Sequence, residues 1–83
     1  MLVVVWEYRA WGELFRQSPA FVSITLMRDL KDPQRFMVAD RWTSERMYED
    51  FKRERAETWR ELSERGARLH VREAEIGRFD FLN

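Results

Sequence analysis

The sequence predicts a small α+β domain with an antiparallel sheet, in the element order β-α-β-β-α-β. Three observations favour this class. Two short segments alternate between apolar and polar residues on either side of an Asp-Pro pair, which is typical of a hairpin. A long amphipathic helical pattern follows the hairpin, and further strand-like segments lie near the two ends of the chain. This order is that of a split βαβ, ferredoxin-like arrangement, predicted as a single domain over residues 1–83.

The first elements are a predicted strand and a short helix. Val3 to Arg9 is rich in β-branched and aromatic residues, which favours a strand. Trp11, Leu14 and Phe15 have the i, i+3, i+4 spacing of an apolar helical stripe. Ser18-Pro19 is expected to end this helix, because proline disfavours the α conformation in the residue before it.

The hairpin is predicted from Phe21 to Met27 and from Phe36 to Trp42, with a polar connection between them. Strict alternation places Val22 and Ile24 on one face of the first strand and Phe21 on the other. Helices would cover one side of the sheet and leave apolar residues on the other. In a chain this short, we expect a second subunit to cover that side.

The second half of the chain predicts one long helix and a last strand. Thr43 or Ser44 is expected to cap the helix, and Gly66 to end it. Leu69-His70-Val71 opens a strand that continues to Phe79 or Phe81. The buried stripe of the helix is predicted to consist of Met47, Phe51, Trp59 and Leu62.

Composition limits the possible partners and locations. The 83 residues carry 15 basic and 15 acidic side chains, which argues against binding to nucleic acid or to an anionic membrane. The absence of cysteine excludes thiol chemistry and thiolate zinc sites, and a single histidine cannot build a histidine-rich metal site. Because 45% of residues are hydrophobic and a domain this small hides only about 60% of its surface, we expect a homodimer. A soluble, cytoplasmic protein is predicted.

The hairpin and the following helix resemble one known family. The strand-to-helix junction reads Phe36-x-x-x-Asp40-x-Trp42-x-Ser44, followed by Tyr48-x-x-Phe51. This pattern is similar to the signature of the antibiotic biosynthesis monooxygenase (ABM) family. Two further segments resemble a subgroup of it: Trp11-x-x-Leu14-Phe15-Arg16-x-Ser18-Pro19-x-Phe21 and Glu75-Ile76-Gly77-x-Phe79.

The resemblance implies a dimeric α+β barrel, in which two four-stranded sheets pack face to face. It also implies an activity class, cofactor-independent oxygenation of small aromatic or quinol-type substrates, with no cofactor or metal. The haem-degrading branch carries an asparagine, a tryptophan and a histidine where this chain has Glu7 or a neighbour, Phe51 and Glu61. Quinol-oxidising relatives carry histidines on the long helix, which has none here. Haem degradation is therefore disfavoured.

An oxygenase without a cofactor needs a base and an aromatic pocket. His70 is the sole histidine and is one candidate base, although it can equally be a strand residue paired with a carboxylate. Asp40 is the second candidate base; the alternative is an ion pair with an arginine. Substrate-binding candidates are Trp11, Phe15, Trp42, Tyr48, Phe51 and Trp59. The alternative for these six is ordinary core packing, in a non-catalytic dimeric module that binds a ligand or has a structural role.

Overall fold

The computed structural model describes residues 2–69, 74–80 and 82. Its elements are α1 (Leu2–Phe15), β1 (Phe21–Arg28), β2 (Phe36–Trp42), α2 (Glu45–Glu54) and α3 (Ala56–Arg68). Within the described residues the two strands form one antiparallel sheet. The predicted α+β class is confirmed. The described order, α-β-β-α-α, departs from the predicted one at the first strand, within the long helix and at the last strand.

The strand predicted for Val3 to Arg9 is wrong, because these residues belong to α1. The helix places Glu7, Trp11, Leu14 and Phe15 on one stripe, at i, i+4, i+7 and i+8. Glu7, Leu14 and Phe15 are buried along this stripe. β-propensity reflects how a side chain fits its surroundings, and here packing against α3 and the sheet outweighs it. The helix ends before Ser18-Pro19, as the sequence predicts.

The hairpin is confirmed, with one change in the orientation of its first residue. Phe21 pairs with Trp42 and Ile24 with Asp40, and the register shifts between Phe21 and Ser23. This irregularity is a bulge at Val22, which brings Phe21 onto the core together with Ile24. The strict alternation that placed Phe21 on the opposite face is therefore wrong.

The predicted long helix is divided into α2 and α3 at Arg55. Ser44 caps α2, where its hydroxyl oxygen accepts a hydrogen bond from the Met47 amide at 3.1 Å. At the junction, the Arg55 side chain donates to the Gln17 amide oxygen at 3.2 Å and lies over the Phe51 ring. These contacts hold the helical segments around the end of α1.

The end of α3 also differs from the sequence prediction. Gly66 lies buried inside the helix, which continues to Arg68 and is closed by Leu69. Gly66 is therefore not the residue that stops the helix.

The last predicted strand is not formed where the structure describes it. Leu69 belongs to the turn that ends α3, His70 and Val71 lie outside the described residues, and residues 74–80 have no regular secondary structure. One side chain, Arg78, holds this C-terminal segment (residues 74–80) against α2. Its guanidinium binds Glu45 at 3.0 Å, Glu49 at 2.6 Å and Glu75 at 2.8 Å.

The core lies where α1, the hairpin and the two later helices meet. Leu14, Phe15 and Phe51 are its buried centre, and partly buried apolar residues surround them. Met47, predicted for the buried stripe, is 44% exposed. Among the described helices, none has the length and apolar character needed to cross a lipid bilayer.

Candidate functional site

The six predicted substrate-binding residues meet in one aromatic cluster. Ring centroids of neighbouring members lie between 5.0 and 5.8 Å apart, from Trp11–Trp59 to Tyr48–Trp59. These are contact distances for tilted and edge-to-face aromatic pairs, so the rings fill the space between them. Phe21 joins the cluster through Phe15 and Trp42. The predicted members are Trp11, Phe15, Trp42, Tyr48, Phe51 and Trp59.

All five described elements contribute to this aromatic cluster, with Phe21 from β1 and Trp59 from α3. Trp11 and Phe15 are one helical turn apart on α1, and Trp42 ends β2. The capped start of α2 then places Tyr48 and Phe51 against Trp42, at 5.1 and 5.6 Å between ring centroids. The strand-cap-helix junction therefore positions the centre of the cluster.

Asp40, a predicted base, lies at the edge of the aromatic cluster. Its carboxylate accepts a hydrogen bond from the Trp42 indole N–H at 2.5 Å. The residue is exposed, although its neighbours on the same strand face, Val38 and Trp42, predict an apolar setting. The bond fixes the orientation of Trp42, because an indole has one donor.

Tyr48 is the titratable side chain of the aromatic cluster, and its pKa is raised. Its partial burial raises the pKa to about 12, and the nearby Asp40 carboxylate adds to this effect. The Arg78 guanidinium, 5.2 Å from the ring centroid, opposes it. Near neutral pH this phenol therefore keeps its proton and does not act as a base.

The other predicted base, His70, lies outside the described residues. Its role stays a prediction of the sequence.

Glu7 on α1 forms an ion pair with Arg65 on α3, a partner that was not identified from the sequence. Glu7 is 4% exposed, and its carboxylate accepts a hydrogen bond from Arg65 at 3.0 Å. Its second oxygen is buried without a hydrogen-bond partner, as is the Trp11 indole nitrogen one turn away. The available signal was a lone carboxylate in an apolar segment, but its partner lies far along the chain.

Two open depressions lie on the surface of the described residues. One, of about 250 Å³, lies between the turn after α1 and α2, with Phe51 in its lining. The other, of about 360 Å³, lies at the loop end of the hairpin. Neither is an enclosed chamber between sheet and helices, the kind of cavity that a sequestered oxygenase substrate requires.

Metal binding finds no support in the part of the chain that the structure describes. No group of three or more histidine, aspartate or glutamate side chains there is placed to hold an ion.

Comparison with known proteins gives no significant match to a family model, a curated protein or a solved structure.

Proposed function

We propose that this chain is a non-catalytic, self-associating module, a homodimer whose aromatic cluster is core and not a substrate pocket. The observation that carries the proposal is the amount of surface left open. The chain exposes 7021 Å², whereas a folded monomer of its mass, 10.2 kDa, exposes about 5,300 Å². Part of the excess belongs to the C-terminal segment. A standard interface needs roughly 800 Å² from each partner, well within the excess of about 1,700 Å².

The outward face of the hairpin is the surface that a second copy would cover. Ile24 and Trp42 pack on the core, and residues paired across the strands share a face. The opposite face, the outward face, is therefore made of the pairs Ser23–Arg41, Thr25–Ala39 and Met27–Met37. Except for Ser23, these residues are exposed. Two such faces packed together would hide four methionines in one dimer.

Sedimentation equilibrium across micromolar concentrations tests this proposal. Ala39 lies in the middle of the outward face, so Ala39→Glu would place two carboxylates in a dimer interface and is expected to give monomers. Ala67→Glu is the matched control, because Ala67 is exposed on α3. A wild-type protein that stays monomeric at these concentrations, or equal behaviour of both variants, would refute the proposal.

A cofactor-independent, ABM-like monooxygenase acting on a small aromatic or quinol-type substrate is the second candidate. Asp40 favours it, because this carboxylate lies at the rim of the aromatic cluster, bonded to Trp42. A substrate phenol could reach the exposed carboxylate if the rings beneath it moved apart. The dimeric α+β barrel stays a prediction from the family resemblance. The cytoplasmic location stays a prediction from the composition of the sequence.

Oxygen uptake with a panel of quinols and polyhydroxy-aromatic compounds tests this second candidate. Asp40→Asn and His70→Ala are expected to lose uptake, whereas Asp32→Asn, in the exposed hairpin loop, is expected to keep it. No uptake by the wild-type protein on any compound eliminates the oxygenase. If oxygen uptake survives both Asp40→Asn and His70→Ala, neither Asp40 nor His70 is the catalytic base.

A further inference from the structure

The ion pairs that attach the C-terminal segment (residues 74–80) to α2 all pass through the guanidinium of Arg78. This group meets Glu45 at 3.0 Å and Glu49 at 2.6 Å on the helix, and it also binds Glu75 within the segment at 2.8 Å. Glu45 and Glu49 are one helical turn apart, so their like charges would repel each other without this cation. Three carboxylates therefore share one positive charge.

The apolar side chains of the segment contribute little to this attachment. Ile76 is 68% exposed and Phe79 is 84% exposed. The Phe79 ring lies against the backbone of its own segment, because a Cβ placed on Gly77 would come within 2.9 Å of it. Residues 74–80 have no regular secondary structure. The segment therefore depends on the ion pairs of Arg78, and salt weakens exposed ion pairs.

Arg78 also covers the aromatic cluster at Tyr48. Its guanidinium carbon lies 5.2 Å from the centre of the Tyr48 ring, which is the distance of a cation–π contact. The same ring packs against Trp42 at 5.1 Å and Trp59 at 5.8 Å inside the cluster. The pKa of Tyr48 responds to both Asp40 and Arg78, so both groups lie near this edge. Removal of the guanidinium would uncover the Tyr48 ring.

From these contacts we propose that the C-terminal segment is a salt-sensitive strap over the Tyr48 edge of the aromatic cluster. The strap is closed when Arg78 binds the two carboxylates of α2, and it then keeps small molecules away from the Tyr48 ring. It opens when these ion pairs are broken. The strap does not involve the outward face of the hairpin, so it rests neither on the proposed dimer nor on oxygenase activity.

Acetylation of tyrosine by N-acetylimidazole, followed by peptide mass spectrometry, measures access to Tyr48. Tyr8 is the internal reference, because its hydroxyl donates to the Ile24 carbonyl oxygen at 3.1 Å between α1 and β1. Arg78→Ala is expected to raise the acetylation rate of Tyr48 severalfold and to leave that of Tyr8 unchanged. Loss of the cation alone would raise the pKa of Tyr48 and slow the reaction, so a faster reaction reports access.

Salt provides a second arm of the experiment that needs no substitution. Raising the ionic strength from about 0.1 M to about 1 M shortens the screening length from about 10 Å to about 3 Å. In the wild-type protein, the Tyr48 rate should then rise towards that of Arg78→Ala, whereas the variant itself should respond little. Arg60→Ala is the matched control and should behave as the wild type, because Arg60 forms an exposed pair with Glu64 on α3.

Two results would overturn the proposal. One is an equal Tyr48 rate in the wild-type, Arg78→Ala and Arg60→Ala proteins. The other is a wild-type Tyr48 rate that does not change with salt. If Tyr8 and Tyr48 both react faster in Arg78→Ala, the variant has lost its fold, and the salt response of the wild-type protein at a constant Tyr8 rate then decides.

Discussion

The ion pair between the buried Glu7 and the partly exposed Arg65 predicts that substitutions of the two partners have unequal effects. Removing one buried charge of an ion pair costs roughly 3–5 kcal/mol, because the other charge is left unpaired. The Arg65 side chain is 41% exposed and Glu7 only 5%, so water partly compensates. Arg65→Met keeps the aliphatic stem and is expected to lower the free energy of unfolding by about 2 kcal/mol.

Changing the other partner should have a different effect. Glu7→Leu removes a carboxylate whose second oxygen has no hydrogen-bond partner, and replaces it with an apolar side chain of similar size. The free energy of unfolding should then stay the same or rise. In the Glu7→Leu background, Arg65→Met should cost less than about 0.5 kcal/mol, because no buried charge is left behind.

Urea unfolding followed by tryptophan fluorescence measures all four members of this cycle. Protomer concentration must be equal throughout, because association changes apparent stability. A loss of about 2 kcal/mol corresponds to a drop in Tm of roughly 10 °C for a domain of this size. Arg60→Met is the control, since the pair Arg60–Glu64 is exposed and separated by 3.9 Å. Equal losses for Arg65→Met and Arg60→Met, or a clear loss for Glu7→Leu, would refute the reasoning.

Three other predictions concern the core, the helix cap and the phenol. Phe51→Ala should lower the free energy of unfolding by about 3–5 kcal/mol, because Phe51 is 5% exposed at the centre of the core. Ser44→Ala should lower it by about 1 kcal/mol through loss of the cap of α2. Tyr48 should make stability depend on alkaline pH. Its pKa is 10.0 unfolded and about 12 folded, so its contribution is complete below pH 10 and lost as pH rises towards 12.

Each of these three predictions has a matched control. Phe79→Ala removes an equal side chain that is 84% exposed and should change little, so equal losses would contradict the burial of Phe51. Ser63→Ala is the control for Ser44→Ala, because Ser63 is exposed on α3 and caps no helix. Equal losses for the two variants would contradict the capping role of Ser44. Tyr48→Phe should flatten the alkaline dependence, measured as urea midpoints at pH 9 and pH 11.5; an unchanged slope would show that other groups cause it.

The hairpin could be predicted from sequence because its signals are local. The alternation of each strand and the Asp-Pro pair lie within one short stretch, and Ser44 follows at once as a cap. The N-terminal helix could not, because Val3 to Arg9 has strand-like composition and the packing that favours a helix comes from distant parts of the chain, including α3, where Arg65 lies 58 positions after Glu7. The β-propensity of a segment carries no information about its contacts with residues so far away in the sequence.

The candidate site was predictable as a set of residues but not as a shape. Helical spacing was enough to place Phe51 and Trp59 in the buried stripe, with Tyr48 at its margin, whereas the direction of Trp42 depends on the register of the hairpin. Whether rings leave a chamber or fill it depends on tilt angles and centroid distances, which no sequence pattern encodes. The sequence also did not predict that Phe21 joins the cluster, because the alternation of the strand does not reveal the bulge at Val22.

The distance between Glu7 and Arg65 also bears on how the chain folds during synthesis. At about 5–20 residues per second, α1 leaves the ribosome some 3–12 seconds before its partner on α3 is made. During that interval, its β-branched first half lacks its packing partner α3, and such apolar segments are prone to intermolecular strand pairing. The hairpin, whose contacts are local, forms within microseconds of its emergence. We therefore expect the contacts of the hairpin to precede the packing of α1 against α3, so that α1 is among the last elements to be secured.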